Sequence, residues 1–146
     1  MGQTDPLLAM NKRFGDLLHA LCALPQLLVC RVDGAAMGGG FGLVCCADHV
    51  VATARSVLGT PEVTLGLPPA QIAPFVWQRL GENTARQCLL QGLSYTATQA
   101  LQMGLVHEVI EQASEEIWQQ TLKRLLRAAP GAVASTKQLL RSLRTA

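Results

Sequence analysis

Aromatic side chains are scarce in this chain: 3 Phe, 2 Trp and 1 Tyr among 146 residues, or 4%. A base-stacking platform for single-stranded nucleic acid needs several rings, so that partner is disfavoured and the core must be aliphatic. Charge is thin too, at 15% charged against 49% hydrophobic residues, which argues against a disordered tail or charged linker. No apolar run approaches the roughly 18 residues of a membrane span, because Pro25, Gln26 and Arg31 interrupt the best candidate. No basic stretch leads into an apolar one, so the expectation is a soluble, cytoplasmic protein with no membrane partner. The five cysteines (Cys22, Cys30, Cys45, Cys46, Cys88) show neither C-x-x-C spacing nor an even count. On a helix the adjacent Cys45 and Cys46 would diverge by about 100°. Zinc and disulfide frameworks are both disfavoured, and the thiols read as small buried hydrophobes in a reducing compartment.

What is present suits a single α/β domain over 1–146. A chain of this length buries roughly 68–70% of its unfolded surface, enough for a core without staples. The net charge of +2 is small, but six of the twelve bases and none of the ten acids fall in residues 117–146. Lys123, Arg124, Arg127, Lys137, Arg141 and Arg144 recur at helical spacings beside leucines, a pattern of solvated helix faces before a nucleic-acid surface.

Apolar periodicity predicts an opening helix over Leu8–Leu21, ended by Pro25. A strand follows over 27–33, then a glycine turn over 34–40, a small-residue helix over 41–47 and a strand over 49–54. Residues 57–70 read as a Pro- and Gly-rich loop with one extended piece. Helices are expected over 72–80 and over 83–90, the latter with a cap at its start. Thr96-x-x-Gln99 forms a capping box opening a helix over 97–103, closed by Gly104. A short strand over 105–110 completes a core over 1–110. Two C-terminal helices follow within 111–146, Ser114–Ala128 and Gly131–Leu143, separated by Pro130. Such alternation predicts short parallel strands between helices. Trp77 and Trp118 read as helix anchors, and His19, His49 and His107 as isolated residues.

Two segments carry chemistry. In Val32-Asp33-Gly34-Ala35-Ala36-Met37-Gly38-Gly39-Gly40-Phe41-Gly42, Gly40 is followed by Phe41 and not by the Lys-Ser/Thr of a phosphate loop. The dinucleotide fingerprint fails as well, since Cys45 occupies its third small position without a βαβ context. What remains is a strand, a tight turn and a helix start made of small residues. Two readings stand: N–H groups aimed at developing negative charge, or glycines that let helix and strand pack closely. Met37 and Phe41 beside the turn either line an acyl pocket or pack in the core. In Gly59-Thr60-Pro61-Glu62-Val63-Thr64-Leu65-Gly66-Leu67-Pro68, Glu62 is the only acid between Asp48 and Glu82. A poorly hydrated carboxylate in such surroundings suits a proton shuttle, although a loop carboxylate capping a turn fits too.

Together these segments resemble the crotonase superfamily of enoyl-CoA hydratases and isomerases. The likeness lies in Gly34-Ala35-Ala36-Met37-Gly38-Gly39-Gly40-Phe41, Ala47-Asp48 before a strand, and Pro61-Glu62-Val63-x-Leu65-Gly66. Arg79-Leu80-Gly81, the helix from Ala85 to Leu90 and Ala100-x-x-x-Gly104-Leu105-Val106 follow the same pattern, from about Phe14 to Leu140. Pro69-Ala70-Gln71-Ile72-Ala73-Pro74-Phe75 departs from the usual Gly-rich version and is similar to hydratases of branched or terpenoid enoyl-CoA substrates.

The resemblance implies a ClpP/crotonase core that polarises an acyl-CoA thioester carbonyl with two backbone N–H groups, one at Gly39. Coenzyme A would enter as part of the substrate, with no separate cofactor and no metal. Met37, Gly38, Gly40, Phe41, Pro61 and Leu67 would line the substrate site. Of the two family glutamates, the second maps to Glu62 and the first to Gly42, which offers no side chain. A lone glutamate at the Glu62 position is similar to the double-bond isomerases. The family's earlier spiral turns, which supply the other oxyanion N–H, would precede the region matching Phe14, and its last helices would follow Leu143. The expectation is therefore a truncated core lacking both flanks, assembled as a homo-oligomer, trimer or hexamer. A catalytically impaired module serving acyl-CoA binding or assembly is the alternative.

Overall fold

The computed structural model describes residues 5–145, so the outermost positions of the 1–146 range lie outside it. Its first helix, α1, runs Pro6–Cys22, with Asp5 accepting from the Leu7 N–H at 2.9 Å and Pro6 in the first turn. Only Leu18 of α1 is fully buried, which matches a stripe of apolar residues on an otherwise solvated rod.

The strands form two small sheets built in step. In the first, β1 (Val29–Val32) pairs parallel with β3 (His49–Thr53), and β3 pairs parallel with β6 (Glu108–Ile110). In the second, β2 (Ala35–Met37) pairs parallel with β4 (Val57–Gly59), and β4 pairs with β5 (Ser94–Thr96). The chain visits one sheet and then the other, so β1–β2 and β3–β4 are successive rungs of one spiral. The β4–β5 pair is antiparallel, unlike the all-parallel pairing expected from the alternation.

Between the rungs lies α2 (Gly39–Cys46), whose Phe41, Val44, Cys45 and Cys46 are buried. They meet Leu18, Val50, Leu58, Phe75, Val76, Cys88 and Leu105 in one aliphatic core. After β4 comes a 3-10 turn, Pro61–Leu65, then α3 (Ala73–Leu80), α4 (Glu82–Gln91), α5 (Ala97–Gln102), α6 (Glu115–Leu125) and α7 (Pro130–Ser142).

Several expectations need correction. The glycine turn contains a strand, β2, because Gly34 (φ +126°) and Gly38 (φ +56°) bend the chain at both ends of three extended residues. α4 starts at Glu82 behind Gly81, with no side-chain cap. Pro130 opens α7, where its missing N–H needs no partner, and so does more than separate two helices. Trp77 is 46% exposed and anchors little, whereas Trp118 lies under the Arg31 guanidinium at 4.9 Å. The capping box at Thr96 is present in both directions.

Candidate active site

Glu62 reaches the glycine turn through a chain of local constraints. The Gly38 N–H donates to the Gly59 carbonyl at 2.9 Å, pinning the end of β2 to the end of β4. Three residues on, the 3-10 turn raises Glu62, and Gly66 closes that turn at φ +78° with its N–H on Val63 O. The Leu67 N–H returns to Glu62 O at 3.0 Å. Thr60 Oγ1 donates to Cys88 O at 3.0 Å, anchoring the base of the turn to α4.

The carboxylate therefore stands over Gly38, whose missing Cβ would lie 2.9 Å from Glu62 Oε1. Glu62 Oε2 is buried and has no hydrogen-bond partner. A buried polar oxygen without a partner is costly, and such atoms concentrate where a ligand completes them. Beside it, Gly39 begins α2, so its N–H has no carbonyl four residues back. The Phe14 ring covers Gly39, with Cζ 3.1 Å from where a Cβ would be.

These groups share a cleft of about 530 Å³. Leu7, Leu8, Asn11 and Phe14 of α1 form one wall, Gly39 and Glu62 the floor, and Leu67, Pro68, Pro69, Ala70, Gln71 and Ile72 the other wall. Among the described residues, the one carboxylate on this surface is Glu62, and its other side-chain polar groups are the amides of Asn11 and Gln71. At Gly42 a Cβ would lie 2.6 Å from Ile72 Cγ2, so the apolar Ile72 fills the place a side chain there would take.

Of the expected site residues, Gly39, Glu62 and Leu67 meet in the cleft, and Gly38 adjoins Glu62. Phe41 is fully buried and belongs to the core, since α2 turns its side chain inward. Met37, Gly40 and Pro61 are not among the lining residues: β2 points Met37 to the surface, where it is 38% exposed. Asn11, Phe14, Gln71 and Ile72 were not anticipated. Phe14 lies within the helix expected over Leu8–Leu21, but periodicity gives no hint of which surface a helix covers.

The histidines are not isolated either. His49 and His107 stack at 5.3 Å between ring centroids, and His19 meets the edge of Phe75 at 4.9 Å. His49 Nε2 lies 2.6 Å from Glu108 Oε2, which also accepts from Arg124 at 2.9 Å. Burial would raise the Glu108 carboxyl, but its bonds to Arg124 and His49 outweigh that and hold it below the usual range. His107 Nδ1 accepts the Val50 N–H at 2.9 Å, and burial first, with Arg79 and His49 adding, lowers its pKa. This cluster sits on β3, β6, the bend before β6 and α6, none of which contributes to the cleft. The basic C-terminal helices are in part structural: Lys137 bridges Gln26 O and Asp48, and Arg144 meets Gln78.

Among the described residues, no helix is long and apolar enough to cross a membrane, and no three His, Cys, Asp or Glu side chains converge as metal ligands.

The enoyl-CoA hydratase/isomerase family profile matches residues 4–146. Enoyl-CoA hydratase ACTT6 of Alternaria alternata is 34% identical over 145 residues, covering 98% of this chain and 47% of that protein. The 2,3-dehydroadipyl-CoA hydratase of Escherichia coli K12 is 34% identical over 143 residues, covering 97% of this chain and 56% of that one. Among solved structures, Pseudomonas aeruginosa AtuE superposes with a TM-score of 0.90 at 44% identity, over 96% of this chain and 55% of its own. An enoyl-CoA hydratase/isomerase from Marinobacter aquaeolei gives 0.87 at 42%, over 97% and 54%. The chain thus spans about half the length of the relatives it matches. With profile, sequence and fold in agreement over nearly all its residues, the chain belongs to the enoyl-CoA hydratase/isomerase family of the crotonase superfamily.

Proposed function

We propose that the chain binds an acyl-CoA thioester and moves a proton within it, with Glu62 as the one general acid/base and the Gly39 N–H as an oxyanion donor. The observation that carries this reading is Glu62 Oε2, buried without a partner on the floor of a mostly apolar cleft. Enolate chemistry would run as follows. Glu62 takes a proton from the carbon next to the thioester carbonyl, and that bond's electron pair passes to the carbonyl oxygen. The Gly39 N–H stabilises the resulting enolate oxygen. As the enolate collapses, the double bond shifts one position toward the carbonyl, and Glu62 returns its proton to the far carbon.

One carboxylate completes that cycle, whereas adding water asks one group to activate water and another to deliver a proton. Ile72 crowds the space where a side chain at residue 42 would start, and the amides of Asn11 and Gln71 can hold water but not deprotonate it. The arrangement therefore favours isomerisation of a 3-enoyl-CoA over hydration. Leu7, Leu8, Leu67 and Ile72 supply an apolar lining suited to an acyl chain.

A homo-oligomer, trimer or hexamer, belongs to the same reading. Leu126, Leu139, Leu140 and Leu143 are each more than half exposed along the C-terminal helices, and such a run of leucines favours burial against another copy.

The proton-transfer step can be tested directly. In heavy water, a saturated acyl-CoA incubated with the chain should exchange the hydrogens next to its carbonyl, as read by NMR. Glu62→Gln should stop the exchange. Exchange at the same rate in both proteins would rule out Glu62 as the base.

A further inference from the structure

The C-terminal ends of α1 and α2 bring two thiols together at a surface the candidate site does not use. The Cys46 thiol lies 3.6 Å from Leu18 O, the carbonyl one turn before Cys22 on α1, which sets the two thiols side by side. Both line a cavity of about 190 Å³ whose rim carries Arg79, Lys137, Arg141 and Arg144. Among the described residues Asp48 is the one side-chain carboxylate on that rim, and Lys137 pairs with it at 2.7 Å. Cys46 is buried and Cys22 only half-buried, so Cys22 is the sulfur a small solute in the cavity reaches first.

We propose that Cys22 and Cys46 are a peroxide-responsive thiol pair that closes to a disulfide and clamps the end of α1 to the end of α2. Cys22 has the thiolate character this needs. Its hydrogen bond with Cys46 does most to bring its pKa down to about 7, against burial, with Arg144 and Lys137 helping and Asp48 opposing. In the first step the Cys22 thiolate attacks hydrogen peroxide, giving Cys22 sulfenic acid and hydroxide. The Cys46 thiol, ionising, then attacks that sulfur, forming the S–S bond and expelling the oxygen as water. Two thiols are oxidised and one peroxide is reduced. Burial pushes the Cys45 pKa up to about 12, and the Cys46 thiol is raised too, first by its interaction with Cys22 and then by burial. What sets Cys45 apart is direction, about 100° away from Cys46 around α2. A redox pair of this kind is distinct from the structural disulfide framework that the cysteine spacing disfavours.

The consequence lies in α1. That helix supplies Leu7, Leu8, Asn11 and Phe14 to the cleft wall. Oxidation would fasten it without touching Glu62 or Gly39, so Cys22→Ser should leave the reduced protein's behaviour at the cleft unchanged.

Peptide mapping after hydrogen peroxide treatment tests the pair. Trypsin leaves Cys22 and Cys30 together on residues 14–31, and Cys45 and Cys46 together on residues 32–55. The map is therefore made on a chain carrying Cys30→Ser and Cys45→Ser. The expected product is a single intramolecular link between the two peptides, lost on reduction and absent when Cys22→Ser is added. It should also raise the melting temperature relative to the reduced form. Should that double variant fold poorly, fragment spectra of the linked wild-type peptides assign the sulfurs instead. A link through Cys45 or Cys30, a link between two chains, or Cys22 oxidised to sulfinic acid beside a free Cys46 would each overturn the proposal.

Discussion

At the scale of single residues, two glycines decide what Glu62 can do. Gly38 holds φ +56°, a conformation side chains adopt at a cost of about 1–3 kcal/mol, and its missing Cβ lies against the carboxylate. Gly38→Ala should therefore both destabilise the fold and push Glu62 off the cleft floor, with proton exchange falling further than the loss of folded protein explains. Parallel measurement of melting temperature and exchange rate checks this. Gly42 is the converse case. Restoring a glutamate there should not restore hydration, because the side chain collides with Ile72 at once. Gly42→Glu alone should lower stability by about 1–3 kcal/mol, the range for overpacking a core. Pairing it with Ile72→Ala should recover part of that loss, as chemical denaturation would read.

At the scale of elements, the stacked His49–His107 pair predicts a pH dependence. Folded His107 resists protonation because it is buried and because its Nδ1 must stay bare to accept from Val50. The unfolded chain binds a proton there near the ordinary value of 6.5. Its contribution is therefore complete above that value and is lost as pH falls below it. Glu108, held low by Arg124 and His49, keeps its share further into acid, failing only as pH drops through its own lowered value. The melting temperature should thus decline between pH 7 and 5, and His107→Asn should flatten that decline. An unchanged slope in the variant would refute the assignment.

The same scale shows what was legible in the sequence. Helices with local start signals were readable: Asp5 and Pro6 open α1, Ser114 caps α6, and the Thr96–Gln99 box opens α5. Three-residue strands such as β2 and β5 were not, since their partners lie elsewhere in the chain and periodicity cannot register over so few residues. Glu62 and Gly39 were legible because each stands out from its surroundings in kind. Phe14 and Ile72 were not, because an apolar residue facing a cleft looks in sequence like one facing a core. For the same reason the sequence leaves Phe41 open between pocket and core; the fold buries it, whereas Met37 lies 38% exposed at the surface.

At the scale of the whole molecule, the exposed leucines Leu126, Leu139, Leu140 and Leu143 at the C-terminal helices predict self-association. Light scattering should give a mass that is a multiple of the 15.6 kDa chain, and Leu139→Glu with Leu143→Glu should reduce it. A monomer at micromolar concentration would refute that reading.

The central claim, one carboxylate moving one proton, is tested most directly by following a 3-enoyl-CoA with wild-type and Glu62→Gln protein under identical conditions. The predicted result is conversion to the 2-enoyl-CoA by the wild type and a loss of roughly 10²–10⁴-fold in kcat in the variant, the usual contribution of a positioned acid/base, with KM little changed. Equal rates from the two proteins, or a hydrated product from the wild type in place of the isomer, would contradict it.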